Sequence, residues 1–62
     1  MSRKEQIAAL FELAKDIAGL DECPEIHDRS RYTYLAVLRY RSKYGKRPSQ
    51  SVIDAVRFMV VW

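Results

Sequence analysis

Cys23 and His27 are the only thiol and the only imidazole of this chain, and they sit four positions apart in the stretch Cys23-Pro24-Glu25-Ile26-His27. Thiolate and imidazole both suit zinc, but a structural zinc site wants four ligands. The missing pair would have to come from Asp21 and Glu25 or from a second copy of the chain. A metal-stapled adaptor is therefore the weakest option, and no metal and no cofactor are expected. The same Cys23 and His27 are the sole candidate nucleophile and base. Nothing in the sequence marks an oxyanion hole or a third orienting group, and a chain of 62 residues leaves little room for a concave pocket. Asp21, Glu22 and Glu25 lack the alternating spacing and central glycine of a calcium loop. No enzyme activity is expected.

The other chemistry on offer is cationic and aromatic. Arg29, Tyr32, Arg39, Tyr40 and Lys43 recur at helical spacing, and Lys46 and Arg47 follow in a turn. Such a set contacts phosphates, stacks on bases or packs on a partner protein. A helix, this turn and a further helix resemble a helix-turn-helix in outline. A recognition helix, however, needs polar side chains that reach base edges, and past Gln50 and Ser51 the last helix offers almost only aliphatics. A small helix-turn-helix-type DNA-binding regulator is accordingly the second reading.

The net charge of +3 hides an asymmetry. Residues 1–28 hold Arg3, Lys4 and Lys15 against seven carboxylates; residues 29–62 hold eight cations against Asp54 alone. The two halves either attract each other within a folded unit or a dimer, which is the favoured explanation, or the basic half meets an acidic partner.

These side chains need elements to position them, and the pattern predicts an all-α chain, a helical hairpin or three-helix domain spanning 1–62. Ser2-Arg3-Lys4-Glu5 reads as a capping box. Behind it Ile7, Leu10, Phe11, Ala14, Ile17 and Ala18 share one helical face, and Gly19 suits the position after the last turn. A first helix is expected over residues 3–18. A loop follows from Leu20 to His27, broken by Pro24, and Asp28 or Ser30 is expected to cap a second helix that ends near Tyr44, before Gly45. Its core side is expected at Leu35 and Leu38, with Tyr34 and Val37 flanking. Gly45-Lys46-Arg47-Pro48 is a tight turn, and Ser49 or Ser51 can cap a third helix with Val52, Ile53, Val56, Met59 and Val60 on one face. The β-branched residues there also suit a strand. With no second strand to pair with, a helix is the better reading.

In the third helix Phe58, Val61 and Trp62 widen the apolar face until it runs almost all round. A helix of that kind must be buried all round. Two other helices cannot cover it, so an exposed patch around Phe58, Val61 and Trp62 is expected, and such patches mark interaction sites. Val56, Phe58, Met59, Val61 and Trp62 are the candidate protein interface. A chain this short buries little surface alone, and Cys23 has no partner for a disulfide, so a homodimer through this segment is expected. A lone cysteine fits a reducing compartment. Met1 to Gln6 is polar and residues 7–20 are interrupted by charges, so neither a signal peptide nor a membrane span is expected. The expectation is a cytoplasmic protein.

The opening Met1-Ser2-Arg3-Lys4-Glu5-Gln6 into Ile7-Ala8-Ala9-Leu10-Phe11, with the apolar stretch Phe58 to Trp62, resembles the very short proteins of temperate-phage early operons. In particular it is similar to the small open-reading-frame product of the exo–xis region of lambda-like phages. That resemblance implies a small helical regulator, made early in infection in the host cytoplasm, that influences the choice between lysis and lysogeny by contacting host or phage proteins. No set of functional residues carries over from it. The leading expectation is a non-enzymatic regulator acting by protein–protein binding.

Overall fold

Ser2 begins the first helix as its capping-box spacing requires. In the computed structural model, which describes residues 1–19, 25–59 and 62, Ser2 Oγ accepts from the Glu5 N–H at 3.2 Å and donates to Glu5 Oε1 at 3.1 Å. Helix α1 runs Arg3–Ala18, the expected span. It stops at Gly19, whose N–H bonds the Lys15 carbonyl at 3.0 Å. Leu10, Ala14 and Ala18 are buried, with Ile7, Phe11 and Ile17 packed beside them, so the expected apolar face is the one that docks.

Helix α2, Ile26–Tyr44, starts earlier than Asp28 or Ser30 would set it. Its N-cap is Glu25, which makes no side-chain capping bond. Asp28 instead lies in the first turn, where a carboxylate suits the positive end of the helix dipole. Ser30 Oγ donates back to the Ile26 carbonyl at 3.2 Å. Of the expected loop, residues 20–24 lie outside the described residues. At the other end Gly45 adopts φ 81°, a left-handed conformation that side chains with a Cβ rarely take, and its N–H bonds the Arg41 carbonyl at 2.9 Å.

The side of α2 that faces the core differs from expectation. Thr33, Ala36, Val37 and Tyr40 are buried, while Leu35 and Leu38 are exposed. Ala36 joins Ala14 and Ala18 of α1 in the buried core, small residues of the kind that let helices pack closely. Thr33 satisfies its hydroxyl on the Arg29 carbonyl at 2.7 Å. Tyr40 turns its hydroxyl to Met1 Sδ at 3.6 Å and stacks on Tyr44 with ring centroids 4.6 Å apart.

Ser49 caps helix α3, Gln50–Arg57, through the Val52 N–H at 3.4 Å. Val52, Ile53 and Val56 are buried. The helix ends at Arg57 rather than running on, and the Met59 N–H turns to the Val56 carbonyl at 3.3 Å. Trp62 accordingly does not continue the helix. Trp62 is only 7% exposed: its indole N–H donates to the same Val56 carbonyl at 2.7 Å, and its ring meets Phe11 edge-on at 5.4 Å. The last carbonyls of a helix have no partner inside it, so Trp62 supplies one to α3 while filling the core.

Each helix packs against both others around one core cluster. The radius of gyration is 10.5 Å, matching the ~10.6 Å of a compact chain of this length. Among the described residues there is no strand, no buried side-chain polar atom lacks a hydrogen bond, and no helix is long and apolar enough to cross a membrane.

Candidate interaction surface

Because α2 presents Thr33 and Ala36 to the core, the stripe one step round the helix is left outside. Tyr34 is 65% exposed, Leu38 49% and Leu35 37%. Ser30, Tyr34, Leu38 and Arg41 follow one another at spacings of three or four, so they line one edge of α2. Gln50, Ile53 and Arg57 line the facing edge of α3 in the same way.

Between these edges lies a groove of about 380 Å³, floored by Thr33, Val37 and Ile53 and reached also by Arg47 from the turn. Its charge is one-sided: Arg41, Arg47 and Arg57 border it and, among the described residues, no carboxylate lines it, although Gln50 of its α3 edge is bonded to Asp54. Arg57 is held by its Nε, which donates to Ser30 Oγ at 2.8 Å, and its guanidinium lies 5.1 Å from the Phe58 ring centroid. Arg41 and Arg47 are exposed. A second, smaller recess of about 280 Å³ lies on the other side of Arg47, bordered by Met1, Tyr40, Tyr44 and Lys46.

The residues singled out from the sequence are distributed differently. The expected exposed patch after α3 needs correcting at Trp62, which is buried, and Val56 is fully buried as well. Both belong to this chain's own core because α3 ends at Arg57 and Trp62 returns onto Phe11. Phe58 is exposed at 57% and Met59 is half-buried. Val61 lies outside the described residues.

The cationic, tyrosine-bearing stripe of α2 also divides. Tyr40 is buried, Tyr32 is half-buried against Trp62, and Arg29 is half-buried with its guanidinium donating to the Met59 carbonyl at 3.1 Å. These three hold the fold together. Arg39, Lys43, Lys46 and Arg47 remain exposed, with Lys43 Nζ 5.4 Å from the Tyr44 ring centroid.

The two polar residues at the start of α3, the ones a DNA-reading helix would use, are engaged at home. Gln50 Nε2 donates to Asp54 Oδ1 at 3.0 Å, and Ser51 Oγ accepts from Arg3 Nε and Nη2 at 3.2 and 3.1 Å.

The exposed carboxylates of α1 do not neutralise the basic half by close pairing. Among the described residues the ion pairs within 4 Å are those of His27 Nε2 with Glu25 at 3.5 Å and Asp28 at 3.8 Å. Glu5, Glu12 and Asp16 stay exposed on α1, and none of them pairs with a cation of α2 or α3.

Of the candidate metal and catalytic residues, Cys23 lies outside the described residues. Glu25, His27 and Asp28 bring one ligand atom each within 4.8 Å of one another at the start of α2. Glu25 and His27 are open to solvent and Asp28 is half-buried.

The sequence reading missed the groove itself. Its signal was the charge-free row Thr33, Ala36, Val37 and Tyr40, which marks the buried side. Extending Leu35 and Leu38 by a turn meets Arg31 and Ser42 instead. No family model, curated protein or solved structure matches this chain.

Proposed function

We propose that this chain is a non-enzymatic binding protein that contacts another protein through the α2–α3 face. The observation that carries this reading is the exposed row Tyr34 and Leu38 beside an apolar-floored groove. Contiguous apolar surface of this kind costs solubility unless a partner covers it, and aromatic residues and arginine are the types enriched where proteins meet. The similarity to short early-operon products of temperate phages supports a regulatory use of such binding, in the choice between lysis and lysogeny. Self-association is one form it can take; with Trp62 inside the core, the exposed apolar side chains for it are Tyr34, Leu35 and Leu38 on α2 and Phe58 after α3.

A DNA-binding regulator is the second reading, favoured by the exposed Arg39, Lys43, Lys46 and Arg47, which have no carboxylate partner among the described residues. Phosphate contacts by these four would bind without reading sequence and would weaken steeply with salt.

Affinity capture from extracts of the source cell, with wild type and Leu38→Glu side by side, tests the first reading. Proteins held by wild type and lost from Leu38→Glu are the expected result. Identical proteins on both, together with a salt-sensitive gel shift that Arg39→Gln/Lys43→Gln abolishes, would replace it with the second.

A further inference from the structure

We infer that the α2–α3 groove receives an acidic amphipathic helix of another protein, about three turns long, with carboxylates near both ends of its apolar stripe. This rests on the protein-binding reading above and specifies the partner's chemistry.

The floor and walls set the apolar part. Val37 and Ile53 form the base, and Tyr34 and Leu38 stand along the α2 edge, so the occupant must bring aliphatic or aromatic side chains on one face. Two grooved helices offer such a row a continuous seat, the arrangement in which peptide helices are held by anchors at spacings of three and four.

The charges set the polar part. Arg57 is tied to Ser30 at one end of the groove through Nε alone, which leaves its terminal nitrogens without a hydrogen-bond partner among the described residues. Arg41 lies at the other end with Arg47 beside it. Ser30 and Arg41 are eleven residues apart along α2, roughly 16 Å at 1.5 Å per residue, or about three turns. Guanidinium groups favour carboxylates, which they bind through two parallel hydrogen bonds. With three guanidiniums and no carboxylate on its rim, the groove attracts an acidic helix and repels a basic one.

A second copy of this chain fits less well. Its exposed acidic stripe is Glu5, Glu12 and Asp16 on α1, and the exposed residue between the first two, Ala8, is too small to fill the groove. Seating α1 of one copy in the groove of the next would also be head-to-tail, a contact that propagates rather than closes. Duplex DNA offers phosphates but no apolar row to cover Tyr34 and Leu38.

The test uses the full chain and three fluorescently labelled synthetic peptides of about 15 residues, a length that can present three helical turns. One carries leucines at helical spacing with glutamates at both ends of the stripe. The second has the same leucines with lysines in place of the glutamates. The third is a scramble of the first. Anisotropy titrations are expected to show the acidic amphipathic peptide binding at least tenfold tighter than either control. Leu38→Ser should weaken it about tenfold, and Arg41→Gln/Arg47→Gln about fivefold, since each partly exposed pair contributes a factor of roughly two to five. Ala8→Ser, exposed on α1 and outside the groove, should leave it unchanged. The substituted positions other than Ala8 border the groove on its exposed side, and matching thermal melts would show that the variants fold.

Equal binding of the acidic and basic amphipathic peptides, both lost in Leu38→Ser, would overturn the charge selection while leaving protein binding intact. Failure of all three peptides would overturn the acidic-helix partner, and the capture comparison would then decide the broader reading by itself. Salt-sensitive binding of duplex DNA with no peptide binding would overturn both.

Discussion

Trp62, after α3, and the outward stripe of α2 both offer large apolar side chains, yet Trp62 closes the core and the stripe faces solvent. Trp62 packs on Phe11 and gives its N–H to the Val56 carbonyl, whereas Tyr34 and Leu38 stand open. The difference lies in what the neighbouring backbone needs. The end of α3 has carbonyls with no helical partner, and an indole supplies both a donor and a large apolar ring. The stripe of α2 has all its backbone groups satisfied within a 19-residue helix, and its place against α1 is already taken by Ala36 and Tyr40. Apolar surface that neither backbone nor core uses is the surface on which the proposed binding rests.

The largest expected effect breaks the comparison at Trp62. Trp62→Ala removes a buried ring and leaves the Val56 carbonyl short of its indole donor, so it should cost about 3–5 kcal/mol. A chain of this length has a total of only about 3–9 kcal/mol, so the variant should be largely unfolded at moderate temperature by circular dichroism. Leu10→Ala comes next: Leu10 is fully buried on α1, and about 2–5 kcal/mol should appear in urea titration. A wild-type melt for that variant would remove α1 from the core.

How much of this was legible in the sequence follows from the same residues. The α1 span was legible because Ser2, Glu5 and the Ile7–Ala18 periodicity agree with one another. The turn at Gly45 was legible because only a glycine suits a left-handed end. The facing of α2 was not, because leucines outrank threonine and alanine in hydropathy. The core that α2 shares with Ala14 and Ala18 takes its small side chains instead. Nor was the placement of Trp62, which depends on α3 stopping at Arg57, and nothing between Ser51 and Trp62 breaks a helix as proline or glycine would. Consequently the exposed apolar patch was expected after α3, while the groove beside Leu38 went unread.

Smaller effects sharpen the contrast. Ser49→Ala removes the cap that fixes where α3 begins and should cost about 0.5–2 kcal/mol, read from the denaturation midpoint. Smallest of all, Leu38→Ser should change stability by no more than about 0.5 kcal/mol, because the side chain is half exposed and outside the core. A loss as large as that of Leu10→Ala would mean that the α2 stripe is structural, and the distinction between the two regions would fall.

That distinction rests on Trp62 belonging to the core of its own chain, and the direct measurement is its fluorescence as the protein is diluted. Trp62 is the only tryptophan, so emission reports on this one site. A core position requires blue-shifted emission that stays the same from high to low micromolar protein, since no second chain is needed to bury the ring. Emission that shifts to that of a solvated indole on dilution would place Trp62 in an interface between chains and contradict the account.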